Sequence, residues 1–541
     1  MASGAKGRKT VASASWRAAS VSFALAVALI ATGCRTVPAG SPANPQGNSQ
    51  SDLQVDIETS PTSLDPRTAS DAISQRLDEL VYDSLVRPGR DLAMIGDLAC
   101  SFERKSPTVM VFHLCPGARF SDGRPLTARD VKYTYDSVLS PVTLSPKRGA
   151  LAELQSVTTP DDSTVVMTTR DPYAPALEMA TFGVIPYGAS APGAGSSIAP
   201  PGSGPFAIES FRGDEYIVLA RNPFHVRPPG SPTRIVFKVV PDPTVRALEL
   251  AEGICGFAEN NIKPDLLGYL SDRHTLAINR SPGTTYQYLM FSFHDSRLRD
   301  VRVRRALAYA IDRGAIAEYM LRGTARLASG LLAPESWAYS ADVQTYGYDP
   351  AQAGALLDQA GYPRHADGLR GLRFVYKTTP EGAPLAEAIQ AMLLRVGVSL
   401  SVRVNEWGTY FGDIQRGDFD LASLQWVGIN DPNHYYLVFD SKMTPPLGFN
   451  RGDYVNPAMD RLVEAGRVTL DQSARRKIYA QVQRLAATDL PYVSLFWTDN
   501  ITVMSRDYSG FVAYPNGSLR SLSTLVIDNS AHPAAAQQAS R

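Results

Sequence analysis

Residues 85–131 read LVRPGRDLAMIGDLACSFERKSPTVMVFHLCPGARFSDGRPLTARDV, and the fold turns on this stretch. Two runs of alternating polarity, Leu98 to Phe102 and Val109 to Leu114, flank the turn-like Lys105-Ser106-Pro107. A period of two predicts paired strands, each with one buried face. Pro116-Gly117 breaks the pair, Phe120 follows as a bulky apolar residue, Asp122-Gly123 makes a second turn, and Thr127 stands where it caps a helix. The hairpin carries Cys100 and Cys115 toward each other, so a disulfide is expected between them. Closing a loop of that length contributes on the order of 3 kcal/mol in the chain-entropy model. Cys255 is left as a buried free thiol.

On either side, short strand-like runs alternate with helical ones, which predicts an α/β protein. After Asp300, the run VRVRRALAYAIDRGAIAEYMLRG places Val303, Leu307, Ala310 and Ile311 at helical spacing, with Asp300 as cap. Asp312 and Gly314 predict a break into two helices. Asp349 and Pro350 open another helix that Gly361 ends. Strands are predicted over 233–240, 286–293, 372–377, 398–404 and 492–496. Residues 186–205, crowded with Gly and Pro, read as a long loop or crossing.

The 541 residues carry 53 basic and 53 acidic side chains, yet residues 1–33 hold four of the basic ones and no acid. The remainder is therefore mildly acidic, which removes the electrostatic case for nucleic-acid binding. A chain of this length exceeds one hydrophobic core, so two or three domains are expected. The apolar run from Val21 to Ala31 is shorter than the roughly 20 residues of a membrane-spanning helix. It reads as the core of a signal peptide over 1–33. Ala31-Thr32-Gly33-Cys34 resembles a bacterial lipobox with Ala in place of the usual Leu, which makes Cys34 the expected lipidation site and the outer face of the cell membrane the expected location. Residues 34–51 read as a flexible tether and 531–541 as a flexible tail.

No nucleophile elbow, zincin helix, CxxC pair or nucleotide loop is present, and the seven histidines lack ligand spacing. Neither catalytic nor metal-ligating residues are assigned, no cofactor is expected, and His434 beside Tyr435-Tyr436 reads as a packed side chain. Aromatic residues are the richer signal. Trp407 closes one predicted strand and Phe419 to Trp426 forms another, followed by the loop Gly428, Asn430, Asp431, Pro432. Tryptophans at the ends of two strands suit the flat walls of a cleft, or else a core.

The 85–131 stretch, taken with Leu64-Asp65-Pro66, Gly202-Ser203-Gly204-Pro205-Phe206, Arg221-Asn222-Pro223-Phe224, DVRVRRALAYAIDR, YDPAQAGALLDQAGY and Gly417-Asp418-Phe419-Asp420, resembles the dipeptide and oligopeptide-binding family of extracytoplasmic solute-binding proteins (family 5) of ABC transporters. The resemblance spans nearly all of residues 52–527. It implies a monomer with a two-lobed periplasmic-binding-protein type II fold and an extra inserted α+β domain. Lobe one would be 52–85, 186–285 and 497–530, the insert 86–185, and lobe two 286–496. It implies short peptides as ligands, or alternatively haem or a nickel chelate, and as partners a permease with its ATPase subunits. Bare nickel is disfavoured by the lack of a histidine or cysteine cluster.

For site residues, Glu406-Trp407 and Trp426 reproduce the spacing of the family's aromatic walls, while Ser203, Gly204, Tyr288 and Ser292 are further expected contacts. An Asp that pairs with a peptide's α-ammonium usually stands three residues after the second Trp; here Ile429 does. Asn430 or Asp431 in the Gly428 loop takes that role, or Asp431 simply forms the turn before Pro432. Ser423 stands where some members carry an Arg for the ligand's carboxylate.

Overall fold

The computed structural model describes residues 52–192, 199–225 and 232–527. The expected signal peptide, Cys34 with its tether and the 531–541 tail lie outside the described residues.

Eleven strands make one sheet. Its order begins Ser399–Val404, Arg373–Thr378, Leu421–Trp426, Leu276–Phe291, Tyr492–Ser505 and continues Phe257–Glu259, Asp52–Ile57, Arg234–Val239, Tyr216–Arg221, Phe206–Arg212, with Ala325–Leu327 added on Tyr492–Ser505. Two long strands join its halves. Leu276–Phe291 and Tyr492–Ser505 run antiparallel from Leu276 opposite Ser505 to Met290 opposite Tyr492. Both extend beyond the expected 286–293 and 492–496 strands. Arg280-Ser281-Pro282-Gly283 shows no alternation to read, and backbone pairing on either side of it carries the strand through. The register breaks between Ser281 and Thr285, where a Cβ on Gly283 would stand 2.3 Å from the Thr498 carbonyl oxygen, so only glycine allows this close crossing.

The helices begin where capping chemistry places them. Asp300 accepts the Arg302 N–H at the head of Val301–Ala310, Asp312 accepts the Ala315 N–H of the next short helix, and Asp349 with Pro350 opens Pro350–Gln359. Gly361, at φ +91°, ends that last helix with the left-handed turn a β-carbon resists. One expectation fails: Trp407 closes no strand. Strand Ser399–Val404 stops short of it, and Trp407 instead opens the helix Trp407–Gln415, whose Tyr410 and Ile414 bury at helical spacing.

Residues 85–131 form the expected hairpin, Ala99–Ser106 with Val109–Leu114, inside a four-stranded antiparallel sheet completed by Thr164–Thr169 and Leu154–Asp161. Cys100 and Cys115 are disulfide-bonded, and Cys255 is a buried free thiol. The Asp130 carboxylate accepts both the N–H and the hydroxyl of Thr127 and so closes the first turn of Ala128–Leu139. Phe112, Phe120, Val131, Tyr135 and Val165 fill the core between this sheet and that helix. Separate apolar clusters serve the rest of the chain. One lies around Leu53, Leu77, Phe206 and Phe237, and two lie either side of the 286–291 and 492–497 strand ends. No helix among the described residues is long and apolar enough to cross a membrane.

Candidate functional site

Strand Leu421–Trp426 pairs with the end of Leu276–Phe291, Trp426 opposite Tyr286 and Leu424 opposite Tyr288. Residues two apart on a strand share a face. Tyr286 and Tyr288 accordingly stack at 5.5 Å, and Tyr288 stacks on Trp426 at 6.1 Å and on Tyr492 at 4.3 Å. His434 meets the Trp426 ring edge-on at 4.5 Å, and Phe449 lies 5.1 Å from it. The Arg451 guanidinium carries the row onward. It stands 4.9 Å from the Trp426 ring, 5.2 Å from Phe449 and 5.4 Å from Phe411, and Phe411 stacks on Trp407 at 5.3 Å. Trp407 thus ends an aromatic row that passes through Phe411 and the Arg451 cation to Trp426 and on to Tyr288 and Tyr492.

Buried polar atoms crowd the row without a hydrogen bond of good geometry: Tyr288 Oη, Tyr492 Oη, Trp426 Nε1, His434 Nε2, Asn430 Oδ1 and Arg451 Nε. Buried polar groups are nearly always paired, so such a concentration marks a place where a bound molecule or water completes the bonding. Burial, with Arg451 adding, lowers His434 to about 3, so its ring is neutral. Burial likewise pushes the Tyr288 hydroxyl up to about 12 against the pull of Arg451.

Asp431 sits beside this cluster and is engaged. Arg475 donates to both of its oxygens, Nη1 at 2.7 Å and Nη2 at 2.5 Å, and the Asn433 N–H donates at 2.7 Å. The pair is almost wholly withdrawn from solvent, with the two side chains 5% and 15% exposed. Glu178, from the short helix Ala174–Ala180, faces the same pair. Burial and then Asp431 raise it to about 8, while Arg475 opposes the shift. Nearby, Arg467 of the helix Pro457–Val468 donates to Glu153 at 2.7 Å and lies over the Tyr436 ring at 3.8 Å.

Residues 93–444 match the family model of bacterial extracellular solute-binding proteins, family 5. The chain belongs to this family. As a family 5 solute-binding protein it is an extracytoplasmic substrate-binding component of an ABC importer, a binder and not an enzyme. It is 26% identical over 428 residues to a probable di/tripeptide-binding protein of Pseudomonas aeruginosa, covering 75% of this chain and 80% of that one. Two solved structures share the fold across 88% of the chain. They are NikZ of Campylobacter jejuni in complex with Ni(L-His), at TM-score 0.78, 24% identity and 99% of that chain, and the oligopeptide-binding AppA of Bacillus subtilis in complex with a nonapeptide, at TM-score 0.77, 23% identity and 98%.

The solute-binding protein gathers some of the expected residues and separates others. Trp426 and Tyr288 share one cluster, and Gly428, at φ +71°, makes the turn after Trp426 that leads into Asn430 and Asp431, whose carboxylate Arg475 holds. Ser292 lies elsewhere. Five residue pairs separate Trp426 from Leu421, opposite Phe291, which is about 17 Å of strand. Ser292 lines a different, open cleft of about 420 Å³ with Lys377 and Asp418, and that lysine is paired with Asp413 and Asp418. Ser203 and Gly204 pack on the end of helix Ala72–Val81. The Gly204 N–H donates to the Val81 carbonyl at 2.9 Å, and a Cβ on Gly204 would stand 2.6 Å from that carbonyl carbon. Ser423, by contrast, meets the Tyr376 hydroxyl at 2.5 Å. Sequence reasoning missed Arg451, Arg475, Phe449 and Tyr492. Each sits far along the chain from Trp426 or in an unremarkable polar run, so no local pattern points to it. Among the described residues no group of three His, Cys, Asp or Glu side chains is placed to hold a metal.

Proposed function

We propose that this solute-binding protein captures short peptides and delivers them to its permease. The observation that carries the reading is the aromatic row from Trp407 to Tyr492 fringed by unpaired buried polar atoms. Flat rings give roomy apolar walls, and the free donors and acceptors suit a repeating amide backbone. The likeness to a probable di/tripeptide-binding protein and to AppA with its nonapeptide supports it. In this reading 52–85, 186–285 and 497–530 form lobe one, 86–185 the insert and 286–496 lobe two. The lobes close about the two long strands, near the register break at Gly283. Lipid attachment at Cys34 holds the protein at the outer membrane face, where two acyl chains bind far better than one.

Native mass spectrometry of the purified protein tests the ligand class, followed by calorimetry with tri- to pentapeptides. Co-purifying peptides and saturable peptide binding are expected. Retention of haem or of a nickel–histidine chelate, with no response to any peptide, overturns the peptide reading.

A further inference from the structure

Arg451 is 6% exposed, yet no carboxylate pairs with it among the described residues, and its Nε makes no hydrogen bond. Its surroundings are the rings of Trp426, Phe449 and Phe411 and the phenols of Tyr288, Tyr492 and Tyr410. These phenols are un-ionised, because burial pushes each of them up, and they leave the cation without a counter-charge. The carboxylates close in sequence lie elsewhere: Asp431 is held by Arg475, Asp440 accepts the Lys442 N–H among Asp460, Glu464 and Lys442, and Asp453 stands beside His294 at 3.7 Å. A buried guanidinium without an anion is strongly disfavoured, whereas ring faces alone return only part of its lost hydration. Its planar fork also matches a carboxylate in two-point contact.

We propose that Arg451 receives an anionic group of the ligand, a carboxylate, against the face of Trp426, so that the guest lies with its negative end here. This reverses the polarity expected from an Asp at the loop, since the charge of Asp431 is already balanced by Arg475. The nature of the guest rests on the peptide reading above; the sign of the charge it presents at Trp426 does not.

The test is calorimetry on the full protein with trialanine, its C-terminal amide and its N-acetyl form. For the wild type, amidation weakens binding about tenfold or more and acetylation less than about threefold, because only the former removes the charge that meets the guanidinium. In Arg451→Gln trialanine drops to the level of its amide and the ratio between them approaches one; Arg451→Lys keeps part of the discrimination. An unchanged trialanine-to-amide ratio in Arg451→Gln overturns the assignment, as does a wild type more sensitive to acetylation than to amidation. Should Arg451→Gln fail to fold, the wild-type comparison and Arg451→Lys decide. Should none of the peptides bind, the peptide reading falls while Arg451 is judged separately, by tryptophan fluorescence with acetate against acetamide at matched ionic strength. A saturable response to acetate alone supports the anion site; equal responses, or none, overturn it.

Discussion

At Trp426 and Trp407 the same residue type meets two environments. Trp426 touches Tyr288, His434, Phe449 and Arg451, whereas Trp407 is 59% exposed and meets only the rings of its own helix, Phe411 and Tyr410. Truncating an aromatic anchor in a binding cleft costs roughly 2 kcal/mol or more of affinity, so Trp426→Ala should weaken peptide binding at least about thirtyfold by calorimetry. Trp407→Ala should leave the melting temperature within about 2 °C of the wild type, since little of its surface is buried on folding. Unfolding of Trp407→Ala with unchanged affinity would make that residue a packing residue only. Asp431 makes a different prediction. Asp431→Asn strands the Arg475 guanidinium in the interior, so chemical denaturation should show a loss of about 3 kcal/mol. If peptide affinity instead falls, selectively for ligands with a free amine, while stability holds, Asp431 faces the ligand and not Arg475.

The 99–114 hairpin shows how an element is held twice. Its strands pair from Ala99 opposite Leu114 to Ser106 opposite Val109, with register shifts at Cys100 and Lys105, and a disulfide of sequence separation 15 spans the open end. Reducing it, or replacing both cysteines with serine, should lower stability by about 3 kcal/mol in urea melts, because the unfolded chain regains the entropy of that loop. A shift below about 0.5 kcal/mol would mean that the strand pairing and the apolar core around Phe112 already restrict the chain. Helix caps and turn glycines belong to this scale as well. They were legible in the sequence because a cap acts within three residues and a left-handed turn within one. The long strands were only half legible: strand Leu276–Phe291 passes through Arg280-Ser281-Pro282-Gly283, where the partner strand and not local preference sets the conformation.

Across the whole molecule, two buried ionisable groups, Glu178 and His434, make stability depend on pH in two opposite windows. Glu178 ionises near 4.5 when unfolded and at about 8 when folded, so between these values the folded protein holds a proton that the unfolded chain has released. Its contribution is full at low pH and is lost as pH rises through 8. Glu178→Gln should therefore flatten the decline in melting temperature between pH 6 and 9, and an unchanged decline would show that another group drives it. His434 acts in the other direction. Neutral in the fold down to about 3 but protonated near 6.5 when unfolded, it costs stability as pH falls through that interval. Closure belongs to the same scale: small-angle scattering should show the protein contract when a bound peptide draws the two sheet halves together about Gly283. Profiles that stay identical at saturating peptide would exclude it.

The amino-acid sequence alone determined the α/β class, the hairpin with its cysteines, the helix caps and the two tryptophans of the aromatic row. These rest on periodicity and on chemistry acting over a few residues. Only the tertiary structure decided the electrostatics of the site. Asp431 meets Arg475 from 44 residues away, and Arg451 reaches Trp426 and Phe411 from two other elements. Charge compensation depends on distance through space, and no local pattern in the chain records which buried ion finds a partner and which is left to find one in a ligand.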